Sequence, residues 1–207
     1  MHKNLLLLVL LCLTKNVNAQ FTKSTYIKLD NGFSFSSFQS SPSINILENT
    51  NTNYSALLGI DFSQKKWFYF SSQIGYIRIG GNETNNGLIG TSNYKLSENS
   101  DYIHLNTTFR IATKRPGLNV YAGVGPYFNV LVSSKKFQGD FFKNDYEFKQ
   151  LYAGGKTEVG ITQDLHKIRV GLNGSYMFNL STTASTPALQ LNNNTFLAML
   201  SVGYMLK

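Results

Sequence analysis

The segment YIHLNTTFRI, residues 102–111, alternates between two kinds of side chain with a period of two. Successive side chains of a β-strand point to opposite faces, so the segment predicts a strand. Such an apolar face either forms the core of a soluble sandwich or faces lipid on the outside of a membrane barrel. The segment alone leaves both alternatives open. One face carries Tyr102, His104, Asn106, Thr108 and Arg110, and the other Ile103, Leu105, Thr107, Phe109 and Ile111.

The N-terminus has the pattern of an export signal. A short basic segment precedes an apolar run from Leu5 to Leu13, and Ala19 ends a small-residue cleavage site. The run is too short to cross a bilayer, since a spanning helix needs about 20 apolar residues. We therefore expect residues 1–19 to be a cleaved signal peptide and residues 20–207 to form one domain, exported by the Sec route.

The composition of the mature chain excludes several functions. Cys12 is the single cysteine and is removed with the signal, which excludes disulfides, cysteine nucleophiles and thiolate metal sites. Loss of Lys3 and Lys15 lowers the net charge from +8 to +6. Charged residues make up 14% of the chain, against about 25% in soluble domains. A nucleic-acid binder would carry denser Lys and Arg clusters, so we expect no nucleic-acid partner.

Eight segments of the mature chain have the pattern of strands, and none has the pattern of a helix. Several contain ten or more residues, whereas strands of soluble sheets usually have about five or six. A tilted strand that crosses a membrane needs about ten residues. The segments are 24–36, 54–62, 67–79, 102–111, 119–132, 151–162, 168–178 and 195–206.

The connections between these segments alternate in length without exception. The long connections are 37–53, 80–100, 133–150 and 179–194, and the short ones are 63–66, 112–118 and 163–167. Membrane barrels have short periplasmic turns and long extracellular loops, whereas a Greek-key sandwich does not sort its loops in this way. The sequence therefore predicts an all-β, eight-stranded, antiparallel, transmembrane up-and-down β-barrel. The apolar face of 102–111 is then assigned to lipid and its polar face to the lumen.

Aromatic residues near the predicted strand ends suggest two interfacial girdles. One lies beside a short turn, and the other lies near the long loops. The first contains Trp67 and Tyr69, and the second Tyr76, Tyr127, Tyr176 and Phe178.

Three segments resemble a known family of barrels. DYIHLNTTFRIATKRPGLNVYAGVGPYFNVLVSS (101–134) is the most specific, and GGKTEVGI (154–161) and LAMLSVGYML (197–206) match more loosely. The chain resembles the small, porin-like outer membrane protein beta-barrel domain group of Bacteroidetes, which are Gram-negative bacteria. The resemblance implies an outer-membrane barrel placed by the barrel assembly machinery, and its motifs carry no chemistry. The chain ends in Leu206-Lys207, whereas barrels of this kind often end in an aromatic residue.

The segment YAGVGPY, residues 121–127, contains glycines that could be mistaken for a nucleotide-binding loop. No helix and no Lys-Ser/Thr pair follow it, so a phosphate site is not indicated. We expect Gly123 and Gly125 to face the lumen and leave room for bulky neighbours. Pro126 should face outward and produce a bulge or a strand edge, because it cannot donate a backbone hydrogen bond.

Eight ionisable residues are candidates for a polar network in the lumen. An eight-stranded barrel is just wide enough for its side chains to fill it, and opposite charges there should pair because unpaired buried charge is unfavourable. The alternative is a permeation path or a ligand pocket, although an open aqueous pore takes about sixteen strands. The candidates are Lys28, Asp30, Asp61, His104, Arg110, Lys156, Glu158 and Arg169.

An enzymatic function has weak support in the sequence. Some small barrels modify lipid A with a His-Ser pair and a carboxylate near the outer rim. His104, near Asp101, is the candidate histidine, because His166 lies in a short turn, and the sequence places no serine as its nucleophile. We expect no catalytic residue, cofactor or metal, and a lipid-modifying enzyme is the third hypothesis.

The long connection SSKKFQGDFFKNDYEFKQ, residues 133–150, interleaves lysines with aromatic residues. Exposed aromatic clusters mark contact surfaces, and the lysines could meet lipopolysaccharide phosphates. The alternative is that strands five and six extend as a hairpin and pair these aromatics with each other. The candidate contact residues are Lys135, Lys136, Phe137, Phe141, Phe142, Tyr146 and Phe148.

The preferred interpretation is a monomeric barrel with a filled polar lumen and a structural or surface-contact role through its long loops. Outer-membrane lipids, lipopolysaccharide, the assembly machinery and an unidentified surface protein are the expected partners. The second hypothesis is a narrow channel or a conduit for small hydrophobic ligands.

Overall fold

The computed structural model describes residues 25–41, 47–65, 67–85, 94–113, 117–134, 147–185 and 190–206. Within these ranges, no helix is long and apolar enough to cross a membrane. The strands are β1 (Tyr26–Ser41), β2 (Asn49–Phe62), β3 (Phe68–Asn85), β4 (Tyr94–Ala112), β5 (Leu118–Ser134), β6 (Glu147–Phe148), β7 (Leu151–Leu165), β8 (Ile168–Asn179), β9 (Ala184–Ser185) and β10 (Gln190–Met205).

Eight long strands form a closed antiparallel barrel. Each pairs with the next long strand in the chain, and β10 pairs with β1 along its whole length to close the wall. The two-residue strands β9 and β6 continue the sheet beside the far end of β10. The predicted all-β, eight-stranded barrel is confirmed. Closure matters physically because it leaves no unpaired edge along the wall.

The two faces of β4 are separated as the sequence predicts. His104 is 0% exposed and Arg110 is 1% exposed, whereas Leu105 is 37% and Ile111 is 52% exposed. The same alternation runs along the other long strands. The barrel therefore buries its polar face and presents an apolar belt on its outer surface.

The strands extend further than the apolar pattern predicts. β3 and β4 remain paired out to Asn85 and Tyr94, so most of the predicted connection 80–100 is strand. β1 and β2 likewise occupy much of 37–53. The outward residues beyond Ile103 on β4 are polar (Asp101, Asn99), so the apolar alternation ends although backbone pairing continues. The long-loop end of the barrel is the end at which β1, β3, β5 and β8 finish, at Ser41, Asn85, Ser134 and Asn179. The short-turn end is the end at which β2, β4 and β7 finish, at Phe62, Ala112 and Leu165.

Pro126 is exposed on the outer face, as predicted, but the expected bulge is elsewhere. The β4–β5 pairing stops after Asn106 with Tyr127 and resumes in the same register at Phe109 with Val124. The register shift lies instead between Asp101 and Tyr102. Because proline has no N–H to donate to β4, Pro126 interrupts the backbone hydrogen bonds between the two strands. The register is the same on both sides of the interruption.

The predicted aromatic girdles need correction at two positions. Tyr69 is 7% exposed and Tyr127 is 1% exposed, so both face the lumen. The short-turn end instead carries an outward cluster around Trp67, whose ring lies 4.8 Å from that of Phe68. Phe62, Phe70 and Phe109 extend this cluster through further ring contacts.

Gly125 allows a close approach of two strands, which gives a first testable prediction. A Cβ at this position would overlap the carbonyl oxygen of Thr107, whereas a Cβ at Gly203 would have its nearest neighbour at 3.5 Å. We expect Gly125→Ala to lower the free energy of unfolding by about 1–3 kcal/mol through overpacking. Gly203→Ala is the matched control and should unfold like wild type in urea. Equal midpoints for the two variants would show that the strands separate freely at Gly125.

Candidate functional site: the barrel lumen

The structure brings all eight lumen candidates to the inward face of the wall. Each of them is at most 8% exposed. Pairs such as Lys28 and Asp30 or Lys156 and Glu158 share this face because they are two residues apart on one strand. The charges therefore meet inside the barrel, where their pairing determines whether the lumen is filled.

Arg110 lies at the centre of this network. Its Nε donates to Oε1 of Glu158 at 2.5 Å and its Nη2 donates to Oε2 at 3.0 Å, which makes a bidentate pair. Its Nη1 lies 3.6 Å from Oδ1 of Asp61. The Thr108 hydroxyl also donates to Glu158, at 2.6 Å. Arg110 thus joins β4 to β7 and β2 across the lumen.

The guanidinium of Arg110 is also held between aromatic rings. Its central carbon lies 4.5 Å from the ring centre of Tyr121 and 5.7 Å from that of Tyr69. Gly123 leaves room for this arrangement, because a Cβ there would lie 3.0 Å from both Arg110 Cγ and Glu158 Oε1. Gly123 has the role that the sequence predicts. Gly125 differs, since its missing side chain accommodates backbone of β4 rather than a bulky side chain.

Asp61 collects positive charge from three strands. Nζ of Lys28 lies 3.5 Å from its carboxylate, and Arg110 and Arg169 lie at 3.6 and 3.4 Å. Lys28 also pairs with Asp30 at 3.1 Å. Arg169 donates to Asp164 at 2.6 and 3.2 Å. Sequence reasoning missed Asp164 because it placed residues 163–167 in a turn, whereas β7 continues to Leu165.

Gln73 links the Glu158 side of the network to the Asp30 side, and sequence reasoning also missed it. It accepts a hydrogen bond from Nζ of Lys156 at 2.9 Å and donates to Asp30. Lys156 in turn lies 3.4 Å from Glu158. The alternation of 67–79 already predicts that Gln73 faces inward. An amide carries no charge, however, so the sequence does not identify Gln73 as part of an ion-pair network.

Tyr26 closes the network at the short-turn end. Its ring centre lies 3.8 Å from the guanidinium carbon of Arg169, and its side chain is buried. A desolvated cation–π contact contributes about 1–2 kcal/mol, so Tyr26→Leu should lower the free energy of unfolding by that amount. Tyr26→Phe keeps the ring and should remain close to wild type in urea unfolding. A similar loss in both variants would assign the effect to the hydroxyl instead.

His104 belongs to a separate group of hydrogen bonds. Its Nδ1 lies 2.6 Å from Oδ1 of Asn129, and its Nε2 lies 2.9 Å from Nδ2 of Asn106. The neutral tautomer protonated at Nδ1 satisfies both contacts. Asn129 also donates to the Tyr152 hydroxyl at 2.7 Å. Both ring nitrogens of His104 are therefore engaged by amides, and among the described residues no serine hydrogen-bonds to this ring.

The expected proximity of His104 and Asp101 is wrong. The two are an odd number of residues apart on β4, so their side chains lie on opposite faces. Asp101 is on the outer face, where it accepts hydrogen bonds from Arg78 at 2.6 and 3.2 Å and from the Tyr76 hydroxyl at 2.6 Å. In the described part of the chain, no group of three His, Cys, Asp or Glu residues could hold a metal ion.

A second layer fills the lumen nearer the long-loop end, and it is apolar. The ring of Tyr152 packs edge-on against those of Tyr102 and Tyr127, with centres 5.2 and 6.2 Å apart. The wholly polar lumen expected from the sequence is therefore corrected, because inward positions in the outer parts of the strands carry large apolar residues. This apolar layer consists of Leu57, Ile77, Ile79, Tyr102, Tyr127, Tyr152, Met177, Leu197 and Met199.

The long-loop end covers this layer with further buried residues. Leu47 is 0% exposed, and its carbonyl accepts a hydrogen bond from the amide of Phe38 at 3.2 Å. Glu98 faces inward at this level, beyond the apolar belt, and is 3% exposed. Its Oε1 has no hydrogen-bond partner among the described residues. Burial raises the pKa of Glu98 to about 8.

The predicted contact loop falls almost wholly outside the described residues. Lys135, Lys136, Phe137, Phe141, Phe142 and Tyr146 all lie there, as does the side chain of Phe148. The backbone of Phe148 belongs to β6, which pairs with β9. Next to it, Nζ of Lys149 donates to the Thr182 hydroxyl at 2.5 Å. The described part of this connection is thus joined to the loop before β10.

Comparisons with known proteins agree with this architecture. The family model for the outer membrane protein beta-barrel domain matches residues 18–185. The outer membrane protein OprG of Pseudomonas aeruginosa is similar over 88% of this chain and 97% of its own, with 10% identity and a TM-score of 0.57. Neisserial surface protein A is similar over 87% and 96%, with 11% identity and a TM-score of 0.50. At these identities the likeness concerns the fold. No curated protein sequence matches the chain.

Proposed function

Because the chain belongs to the outer membrane protein beta-barrel domain family, we propose that it is a monomeric, non-conducting barrel that holds its long loops at the cell surface for contact with partners. The barrel lies in the outer membrane, with the short-turn end toward the periplasm and the long-loop end outside. Export by the Sec route, removal of residues 1–19 and insertion by the barrel assembly machinery are parts of the same proposal.

The observation that carries the proposal is the filled cross-section of the lumen. The Arg110 network joins β1, β2, β4, β7 and β8 through paired charges and β3 through the hydrogen bonds of Gln73, and the apolar layer lies above it. Moving a solute through would require breaking buried ion pairs, which leaves uncompensated charge. A barrel filled in this way is suited to anchoring loops rather than to transport.

The long loop 133–150 supplies the proposed contact, and lipopolysaccharide is its proposed partner. Its lysines offer compact positive charges for phosphate groups, and its aromatics offer apolar area. A surface protein is a further possible partner of the same loop. Lipid A phosphates lie at the outer surface of the membrane, the level that the long-loop end reaches.

A matched pair of charge changes tests this contact. The double change Lys135→Ser with Lys136→Ser removes two positive charges from the loop, and Lys65→Ser with Lys167→Ser removes two exposed charges from the short-turn end. Binding of purified lipopolysaccharide to the nanodisc-embedded barrel should weaken in the first variant and stay unchanged in the second. Equal affinities of both variants and wild type would exclude these loop lysines as the contact.

A narrow channel or a conduit for small hydrophobic ligands is the second candidate function. The observation that favours it is a groove on the outer wall whose lining includes Gln73 and Asn106, two residues with lumen-facing side chains. A conduit would let a hydrophobic solute pass from the lumen to the lipid through this wall. Uptake of a fluorescent fatty acid into vesicles faster than in barrel-free vesicles would favour this candidate over the non-conducting barrel.

We propose no enzymatic activity. A lipid-modifying enzyme centred on His104 would need a nucleophile beside the ring, and the hydrogen bonds of that ring go to Asn106 and Asn129. Purified barrel incubated with lipid A should therefore leave its acyl chains unchanged by mass spectrometry.

A further inference from the structure

The groove on the outer wall crosses five strands, from β1 to β5, and has a volume of about 480 Å³. Two neighbouring rows of cross-strand partners line it. The lower row passes from Ile27 through Ile60 and Ser72 to Thr107, and Pro126 lies next to it on β5, where the β4–β5 pairing is interrupted. The upper row contains Leu58, Ile74, Leu105 and Phe128. Apart from Ser72 and Thr107, the residues of both rows are apolar.

The floor of the groove is formed by two small residues. Ser72 and Thr107 face outward, and their hydroxyl groups hydrogen-bond to each other at 2.8 Å. A bulkier pair at these positions would fill the space above them. Because the two hydroxyls share one hydrogen bond, an apolar group that lies over them covers fewer unpaired polar groups than it would over two separate hydroxyls.

The register gives the direction of the groove. The rows run perpendicular to the strands, and barrel strands tilt by about 35–45°, so the groove is oblique to the membrane. On β1 the lower row starts at Ile27, next to the first residue of the strand at the short-turn end. At its other end, Pro126 lies well inside β5. Five strands spaced about 4.8 Å apart give a length of about 19 Å.

We propose that this groove binds one acyl chain of a phospholipid from the periplasmic leaflet. The groove is continuous with the apolar belt that faces the acyl chains of the membrane. It opens at the periplasmic rim, where the glycerol of that leaflet lies, and climbs to the middle of the wall.

Charge at the periplasmic rim agrees with a phospholipid. Lys65 and Lys167 are both exposed at the short-turn end, where they offer positive charge to a lipid phosphate. Lipid A lies in the opposite leaflet, at the long-loop end, so its chains would enter the groove from the wrong side. The chain that occupies the groove is therefore assigned to phospholipid.

Photo-crosslinking tests the assignment. The folded barrel is reconstituted in vesicles of phosphatidylethanolamine that carry a diazirine in one acyl chain, and labelled peptides are mapped by mass spectrometry. We expect labelling concentrated on the β1–β5 peptides that contain the groove. Thr107→Phe should fill the floor and reduce this labelling roughly tenfold, which corresponds to about 1.4 kcal/mol of lost binding.

Thr157→Phe is the matched control, because Thr157 is also exposed on the outer face and lies on β7, away from the groove. It should label like wild type, and heat-modifiable migration on gels shows that both variants are folded. Uniform labelling around the wall, or equal labelling of the two variants, would overturn the proposal. So would preferential labelling by a diazirine-bearing lipid A.

Discussion

Replacement of Arg110 by alanine is expected to lower the free energy of unfolding by about 3–5 kcal/mol. Arg110 is 1% exposed and pairs with both Glu158 and Asp61. The substitution leaves Glu158 with Lys156, at 3.4 Å, as its one cationic partner among the described residues, and it also removes the cation–π partner of Tyr121. Urea unfolding in phosphatidylcholine vesicles, followed by the fluorescence of Trp67, measures the change, since the chain has a single tryptophan.

Arg78→Ala is the matched control for this prediction. Arg78 also pairs with a carboxylate at 2.6 Å, but its side chain is 43% exposed. Solvent screens such a pair, so we expect a loss of about 1 kcal/mol or less. The triple change Arg110→Leu, Glu158→Leu and Lys156→Met should recover much of the stability lost by Arg110→Ala, because it removes Glu158 together with both cations that pair with it. Equal losses for Arg110→Ala and Arg78→Ala would contradict the buried network.

Glu98 is expected to make the stability of the barrel fall as the pH rises. Its carboxyl lies beyond the apolar belt, and burial raises its pKa to about 8 from a value of 4.5 in the unfolded chain. Between these values the folded state binds more protons than the unfolded state, so stability is fully present below pH 4.5 and is lost progressively up to pH 8. The difference corresponds to on the order of 5 kcal/mol.

Glu98→Gln should abolish this loss, because the amide keeps the shape of the protonated acid and does not ionise. Urea midpoints of wild type and Glu98→Gln, measured between pH 4 and pH 9, should separate progressively as the pH increases. Glu48→Gln changes an exposed carboxyl at the same end and serves as the control that follows the wild-type profile. Parallel profiles of wild type and Glu98→Gln would contradict the burial of an ionisable group in the outer layer.

The barrel and the faces of its strands could be predicted because they depend on local alternation. The side chains of 102–111 sort into two faces whatever the rest of the chain does, and the unequal connections then assign the apolar face to lipid. Strand ends were harder to predict. Beyond the apolar belt, residues such as Asn99 and Asp101 are outward and polar, so no pattern of hydropathy marks a strand that its backbone pairing still holds.

The sequence predicts which charged residues face the lumen, but it does not predict which of them pair with each other. The alternation of side chains along each strand identifies Arg110 and Glu158 as inward-facing. Their pairing, however, depends on the stagger between β4 and β7, which are separated by β5. The same stagger brings Gln73 between Lys156 and Asp30. The sequence pattern puts Tyr102 on a polar face and Tyr127 in an interfacial girdle, whereas both rings lie in the apolar layer. A phenol is compatible with an interface as well as with a core, so its position cannot be assigned from residue type alone.

The most direct test of the filled lumen is the ionic current through a planar bilayer that contains the purified, heat-modifiable barrel. Wild type should give no discrete current steps, whereas Arg110→Ala should leak, because removal of the central side chain leaves a gap in the ion-pair network that fills the lumen. Discrete wild-type channels of constant conductance would contradict the account and would make the paired lumen charges the lining of a pore.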